Sequence, residues 1–191
     1  MAKILVFNSV SLDGYFTDEN NDMSWAHKDP NDAEWNAFVG ENASGGVSGG
    51  GAILLGRITY EMMASFWPTP AAMEMMPVVA KSMNDMTKIV FSRSMKKASW
   101  SNTKLVKGDL VAEVRKLKKS DKDMVILGSG TIVSQLTQAR LIDEYQVVVV
   151  PVVLGKGRTM FEGVKDRLTL KRTNTRNFGN GNVVLSYEPV A

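Results

Sequence analysis

Three short clusters combine glycine, hydroxyl and guanidinium groups directly after apolar runs: Gly56-Arg57-Ile58-Thr59, Ser92-Arg93-Ser94 and Gly128-Ser129-Gly130-Thr131-Ile132. This is a residue mix that can bind phosphate. Glycine lets backbone approach a ligand, a helix start offers unpaired N–H groups, and a guanidinium meets phosphate oxygens as a two-pronged fork. The cluster from Gly128 to Ile132 reads as an anion site, or as a turn that needs glycine for steric reasons alone. It departs from the G-x-G-x-x-G dinucleotide fingerprint, because Val133 stands where that pattern has its last glycine. Arg57 can fork onto phosphate and Thr59 can bond phosphate or cap a helix; the competing reading is a surface arginine and an ordinary cap. An NAD site places an acidic residue after such a strand for the ribose hydroxyls, whereas Arg93 between Ser92 and Ser94 suits a 2′-phosphate. That favours NADP over NAD.

The elements that must position these clusters follow from the apolar pattern. Strands are predicted at Lys3–Val10, Ala52–Leu55, Lys88–Phe91, Met124–Leu127 and Tyr145–Val153. Ile53-Leu54-Leu55, Val125-Ile126-Leu127 and the run 147–150 are apolar on both faces, as in strands covered by helices on each side. A helix capped by Asp109 carries Leu110, Val114 and Leu117 on one stripe, and another starting near Thr131 carries Ile132, Leu136 and Ala139. Further helices are expected around Asp32–Glu41, Tyr60–Phe66 and Met73–Met83, with their methionines in the core. Leu168–Phe178 and Val183–Tyr187 flank the turn signal Gly179-Asn180-Gly181-Asn182 and read as an antiparallel hairpin. The lysines 116, 118, 119 and 122 read as a solvated helix end. The glycine-rich stretch 44–51 precedes a strand instead of following one, so it reads as a connector and not a phosphate cradle.

Composition narrows the function classes. The 191 residues suit a single domain, 1–191. The net charge of +3 arises from 23 basic residues scattered among 20 acidic ones, without the basic stripe and exposed aromatics that nucleic-acid binding needs. Zero cysteines remove thiolate ligands, and His27 is the sole histidine, so no transition-metal site is expected. No apolar run approaches the roughly 20 residues of a membrane span, and no secretory core is seen at the start. A soluble, cytoplasmic protein is the expectation.

In their order along the chain, Ser11-Leu12-Asp13-Gly14-Tyr15, Gly56-Arg57-Ile58-Thr59-Tyr60-Glu61, Ser92-Arg93-Ser94, Gly128-Ser129-Gly130-Thr131 and Pro151-Val152-Val153-Leu154-Gly155-Lys156-Gly157 resemble the dihydrofolate reductase superfamily. The similarity is closest to the branch containing the reductase domain of bacterial riboflavin biosynthesis, and it spans nearly the whole chain. The resemblance implies an α/β fold, dihydrofolate-reductase-like, with a mostly parallel doubly wound sheet, helices on both faces and an antiparallel C-terminal hairpin. It also implies NADPH across the strand ends. Gly56, Arg57, Thr59 and Gly128, Ser129, Gly130, Thr131 and Ile132 would hold its phosphates, and Ser92, Arg93 and Ser94 the 2′-phosphate. Val10, Leu12, Asp13 and Gly14 would border the nicotinamide. By analogy the chain is an NADPH-dependent reductase of a pteridine- or pyrimidine-like ring, and a homodimer.

Reduction of C=N or C=O also needs a proton, supplied by an acid or by water held by one. Asp13 is the first candidate, with a plain Asp-Gly turn as the alternative. Two features of the relatives are missing: their Glu-Gly-Gly is Leu127-Gly128-Ser129 here, and the pterin-binding carboxylate finds only Asp32 or Glu34. Trp25 is the candidate for stacking a flat substrate, while Trp35 and Trp67 are expected in the core. A second reading keeps the fold without catalysis, as a nucleotide- or small-ligand-binding protein.

Overall fold

Strands apolar on both sides must be covered on both sides, and the two most apolar, β3 (Ala52–Gly56) and β6 (Met124–Leu127), lie next to each other in the middle of the sheet. The computed structural model describes residues 1–26, 31–43 and 51–190; His27 and the stretch 44–50 lie outside the described residues. Around the central pair, β1 (Ile4–Ser11), β4 (Thr87–Phe91), β5 (Thr103–Val106) and β7 (Glu144–Val150) extend the sheet in parallel, and the hairpin β9 (Leu170–Asn177) and β10 (Val183–Pro189) completes it. The order is β5-β4-β3-β6-β1-β7-β10-β9, with β10 antiparallel to both its neighbours. A separate ribbon pairs β2 (Tyr15–Thr17) with β8 (Arg158–Thr159).

Side-chain alternation sorts the core into layers. Ala52, Leu54, Met124, Ile126, Ile4 and Val6 point to one face. That face is covered by α5 (Leu110–Leu117) through Leu110 and Val114, and by α6 (Gly130–Gln138) through Ile132, Val133 and Leu136. Ile53, Leu55, Val90 and Val125 point the other way, against Tyr60 of α2 (Arg57–Phe66) and Val79 and Met83 of α4 (Pro77–Asp85). On the same side, Phe38 of α1 (Ala33–Glu41) packs with Val148, Val150, Phe178 and Val184. Trp35 joins that cluster edge-on to Phe178, with ring centroids 4.9 Å apart, and Trp67 packs against the α2 layer; both tryptophans pack on the core as expected but are half-buried at its margin.

The expected α/β architecture is present, with local corrections. β7 stops at Val150 instead of Val153, because Pro151 has no N–H for the ladder. The expected single helix over Met73–Met83 is two, α3 (Pro70–Met75) and α4, broken where Met76 leaves helical geometry before Pro77. The methionines there are not uniformly core: Met83 is buried, but Met62, Met73 and Met75 are exposed. Lys118 is more than a solvated helix end, since its Nζ donates to the Leu141 carbonyl at 2.9 Å and pairs with Asp143. Gly51, the end of the glycine-rich connector, is required where it stands, because a Cβ would lie 2.3 Å from the Asp123 carbonyl oxygen.

One buried charge supports the amino edge of β4. Lys88 is fully buried, its Nζ donating to the last carbonyls of α4 at Met83 (3.0 Å) and Asn84 (2.9 Å), and lying 4.4 Å from the centre of the Trp100 ring. The ammonium thereby satisfies carbonyls that a helix end leaves unpaired, and it complements the helix dipole. Burial lowers its pKa to about 8 from 10.5. Since the folded value lies below the unfolded one, the unfolded chain binds the extra proton between those limits. Stability from this group therefore rises as pH increases from about 8 towards 10.5. Lys88→Ala should cost about 2–4 kcal/mol in urea denaturation at neutral pH, through the cavity and the two abandoned carbonyls. The gap between wild type and variant should widen between about pH 8 and 10; a gap that stays constant would contradict the buried, shifted amine.

Candidate functional site

After β3 the chain turns onto one face as α2, and after its neighbour β6 it turns onto the other face as α6. Adjacent strands that part in this way open a crevice at their carboxyl ends, the usual ligand position in open α/β sheets. The clusters Gly56-Arg57-Thr59, Ser92-Arg93-Ser94 and Gly128–Ile132 follow β3, β4 and β6, and Val10 to Gly14 follow β1. All are therefore on one edge of the sheet, because these strands run parallel.

At the crevice the two helix starts are tied together. Ser129, the N-cap of α6, accepts from the Gly56 N–H at its Oγ (2.8 Å) and donates from its backbone N–H to Thr59 Oγ1 (3.1 Å). The Ser129 and Thr59 hydroxyls are 3.0 Å apart. Only one hydroxyl proton is used between them, so the other is available to an acceptor. Thr59 thus bonds across the crevice; it does not cap α2, whose N-cap Gly56 has no side-chain bond. Ser129 and Gly128 both have left-handed backbone, φ 55° and 67°. The Gly128 N–H bonds inward to Asn8 Oδ1, while the N–H groups of Gly130 and Thr131 meet no acceptor among the described residues. Gly128 is required by the protein itself: a Cβ there would lie 2.7 Å from the Thr59 methyl.

The guanidinium groups differ. Arg57 is paired with Glu61 at 2.8 Å one turn along α2, whereas Arg93 is exposed and forms no ion pair among the described residues. Ser92 has a local duty, its Oγ accepting from the Met95 N–H at 3.0 Å, with Ser94 Oγ 3.4 Å away.

Asp13 closes the other side of this edge. Its Oδ1 accepts from Ser11 Oγ (2.6 Å) and the Leu154 N–H (3.1 Å), and its Oδ2 from the Gly155 N–H (2.7 Å). The Ser11 hydroxyl, with help from those two amides, holds the carboxyl below its usual pKa despite an opposing desolvation cost. At neutral pH it is a hydrogen-bond acceptor that clasps the loop after β7. Gly14 completes the turn with φ 88°, and Leu12 is exposed with its N–H on the Val152 carbonyl. Trp25, in a short 3-10 turn over Ser24–Ala26, donates its Nε1 to the Asp22 carbonyl (3.1 Å) and packs its half-buried ring on the α1 side. The two carboxylates considered for a pterin are engaged with the hairpin. Asp32 caps α1 and accepts from Asn180 Nδ2, and Glu34 accepts from the Gly179 N–H.

One residue of this network is absent from the phosphate clusters read from the sequence. Asn8 is 5% exposed and faces the same side as Ile4 and Val6, where an apolar residue belongs. That break in the apolar alternation is its signal. Two open hollows lie elsewhere: about 710 Å³ lined by Arg140, Arg167, Thr169, Pro189 and Val190, and about 460 Å³ lined by Asp18, Glu19, Leu154, Gly155 and Lys156. The first is at the opposite edge of the sheet, and the second adjoins the loop that Asp13 clasps. Unspent donors, more than volume, mark the β3–β6 crevice.

The packing at Gly128 is directly testable. Gly128→Ala should destabilise the protein by about 1–3 kcal/mol, from left-handed strain and the clash with Thr59. In a Thr59→Ser background, which removes the obstructing methyl, the same substitution should cost less; equal costs in chemical denaturation would refute the contact.

Comparison with known proteins agrees with the fold. The chain is 28% identical over 186 residues to the uncharacterized protein YyaP of Bacillus subtilis, covering 97% of this chain and 94% of that one. A putative riboflavin biosynthesis protein from Shewanella sp. PV-4 superposes with a TM-score of 0.74 at 22% identity, over the full length of both chains. Dihydrofolate reductase from Enterococcus faecalis, solved with NADP(H), superposes with a TM-score of 0.62 at 16% identity, over 99% of this chain and 97% of that one. These structures share its dihydrofolate-reductase-like fold. The RibD C-terminal domain pattern matches residues 2–184, and the chain belongs to that family.

Proposed function

We propose that this protein is an NADPH-dependent reductase that delivers hydride to a small heterocyclic substrate of pteridine or pyrimidine type. Family membership supports a reductase-type function. The observation that carries the cofactor reading is the crevice itself. Two helix starts meet there, and among the described residues two backbone N–H groups and a hydroxyl proton are unspent and Arg93 on the same edge has no counter-ion. These are donors without acceptors, which is the chemistry a pyrophosphate and a 2′-phosphate would complete.

In this reading Gly130, Thr131 and the Ser129–Thr59 pair hold the pyrophosphate, with Gly56, Arg57 and Ile132 shaping its seat. Ser92, Arg93 and Ser94 hold the 2′-phosphate. Val10, Leu12 and Gly14 border the nicotinamide, and Trp25 stacks on the substrate ring. The bound cofactor would supply the hydride. Asp13, kept ionised, does not release a proton at neutral pH; its Oδ2 has one amide donor among the described residues, and a water held there would relay the proton. A homodimer in the cytoplasm is proposed on the family resemblance alone. The depressed Asp13 and the missing glutamate favour one competing reading, a nucleotide- or small-ligand-binding protein without turnover.

Calorimetry with NADPH and NADH tests the cofactor. NADPH should bind more tightly, and Arg93→Ala should weaken it about tenfold or more while sparing NADH, as expected for a lost charge-assisted phosphate bond. Equal loss for both would overturn the role of Arg93, and no binding of either would remove the reading. A panel of dihydrofolate, ribosylamino-pyrimidine and simple carbonyl or nitro compounds then separates the two functions. With an accepted substrate, Asp13→Asn should lower turnover on the order of 100-fold; unchanged turnover would clear Asp13 of the relay.

A further inference from the structure

The ladder between β1 and β6 runs from Ile4 opposite Met124 to Phe7 opposite Leu127 and then ends, while β1 continues alongside β7 as far as Ser11. At the next rung a side chain replaces the backbone. Asn8 Oδ1 accepts from the Gly128 N–H at 2.6 Å, and Asn8 Nδ2 donates to the Gly128 carbonyl oxygen at 3.3 Å. A second contact of Nδ2, 3.4 Å to Met160 Sδ, fixes the amide from the far side. A carboxamide carries an acceptor and donors in one plane, so Asn8 meets both polar groups of one residue as a neighbouring strand would.

What it holds is unusual backbone. Gly128 and Ser129 are consecutive left-handed residues, a conformation that costs a non-glycine residue about 1–2 kcal/mol and persists only where the surroundings fix it. Asn8 grips the first of them from the β1 side, and Thr59 grips the second from the α2 side. The next two residues, Gly130 and Thr131, carry the unspent N–H groups. A buried polar group placed only to satisfy the core would have no need to pair both the N–H and the carbonyl of this one residue, and so to fix the two peptide groups on either side of its Cα.

We propose that Asn8 is a positioning residue for cofactor binding: it sets the Gly128–Ser129 turn so that the Gly130 and Thr131 amides are presented to the pyrophosphate. This rests on the NADPH reading above. Asn8 itself touches no phosphate. It acts through Gly128, so its removal should affect ligands that carry a pyrophosphate and spare those that carry only the 2′-phosphate end.

Asn8→Asp offers the sharpest test, because the two protonation states of the new side chain do opposite things. A protonated carboxyl accepts from the Gly128 N–H and donates to its carbonyl, reproducing both bonds; an ionised one repels that carbonyl and sets negative charge behind the anion seat. Affinities for NADP⁺ and for adenosine 2′-phosphate are measured by calorimetry on wild type and variant from about pH 8 down to about pH 5.5. The expected result is at least a tenfold loss of NADP⁺ affinity at the upper limit, little change for adenosine 2′-phosphate, and recovery relative to wild type as pH falls. Unchanged NADP⁺ affinity, equal loss for both ligands, or a loss insensitive to pH would overturn the proposal. If circular dichroism shows Asn8→Asp unfolded, Asn8→Ser, too short for both bonds, is measured instead and must show the same selective loss without pH recovery. Wild type that fails to bind NADP⁺ sinks the cofactor reading together with this inference, whereas tight wild-type binding with unaffected variants sinks this inference alone.

Discussion

Two neighbouring parallel strands whose helices leave for opposite faces cannot stay together at their carboxyl ends, and in this protein Ser129 spans the gap they leave. Its Oγ takes the Gly56 N–H and its own N–H reaches Thr59, so the starts of α2 and α6 are fixed relative to each other by three polar contacts. Left-handed backbone at Ser129 is the cost of that reach, on the order of 1–2 kcal/mol. The relative placement of the two helix starts, and of the amides at the start of α6, depends on the bridge. Without it, two helix dipoles would point at a wider and less defined space.

The alternation that produces this arrangement was legible in the residues. Ile53-Leu54-Leu55 and Val125-Ile126-Leu127 have no polar side, which predicts strands covered on both faces, and they occupy the centre of the sheet. Asp109 was legible as a cap because its helix stripe begins at the next residue, and its side chain does accept from the Ala112 N–H. β5 was not legible: Thr103-Lys104-Leu105-Val106 is short, lies at the sheet edge and contributes little to the core. The β2–β8 ribbon was not legible either, since three and two residues give no period to read. The exposed methionines show a different limit. Residue type reports what a side chain prefers, while the helix rotation that places Met83 inward and Met75 outward is set by the break at Pro77.

The site was legible as an edge and not as a network. Glycines and hydroxyls after strand ends located the crevice, but spacing alone could not say that the Gly128 hydrogen faces the Thr59 methyl, or that Thr59 bonds Ser129 instead of its own helix. Carboxylates were the hardest to read. Asp13, Asp32 and Glu34 each accept from backbone or side-chain donors in the loops they join, and nothing in their sequence neighbourhoods distinguishes a clasp from a catalyst. Charge alone does not describe these carboxylates; the donors that each already holds do.

That distinction also orders the two guanidinium groups. Arg57 leaves a helix start whose dipole already favours anions, yet its exposed pair with Glu61 must be broken or shared before it can serve a phosphate. Exposed i,i+4 pairs are worth only a few tenths of a kcal/mol, so this is a weak restraint and Arg57 can turn to a ligand at little cost. Among the described residues Arg93 has no such restraint, and it has no such dipole either, because no helix begins at Ser92. An anion at the crevice would therefore be held mainly by preorganised backbone, and an anion near Arg93 by a single exposed charge. The first kind of contact is rigid and only weakly sensitive to salt; the second is screened within a Debye length of about 8 Å at physiological ionic strength. Affinity for the two ends of a long nucleotide should thus respond differently to salt, with the crevice fixing its position and the arginine its identity.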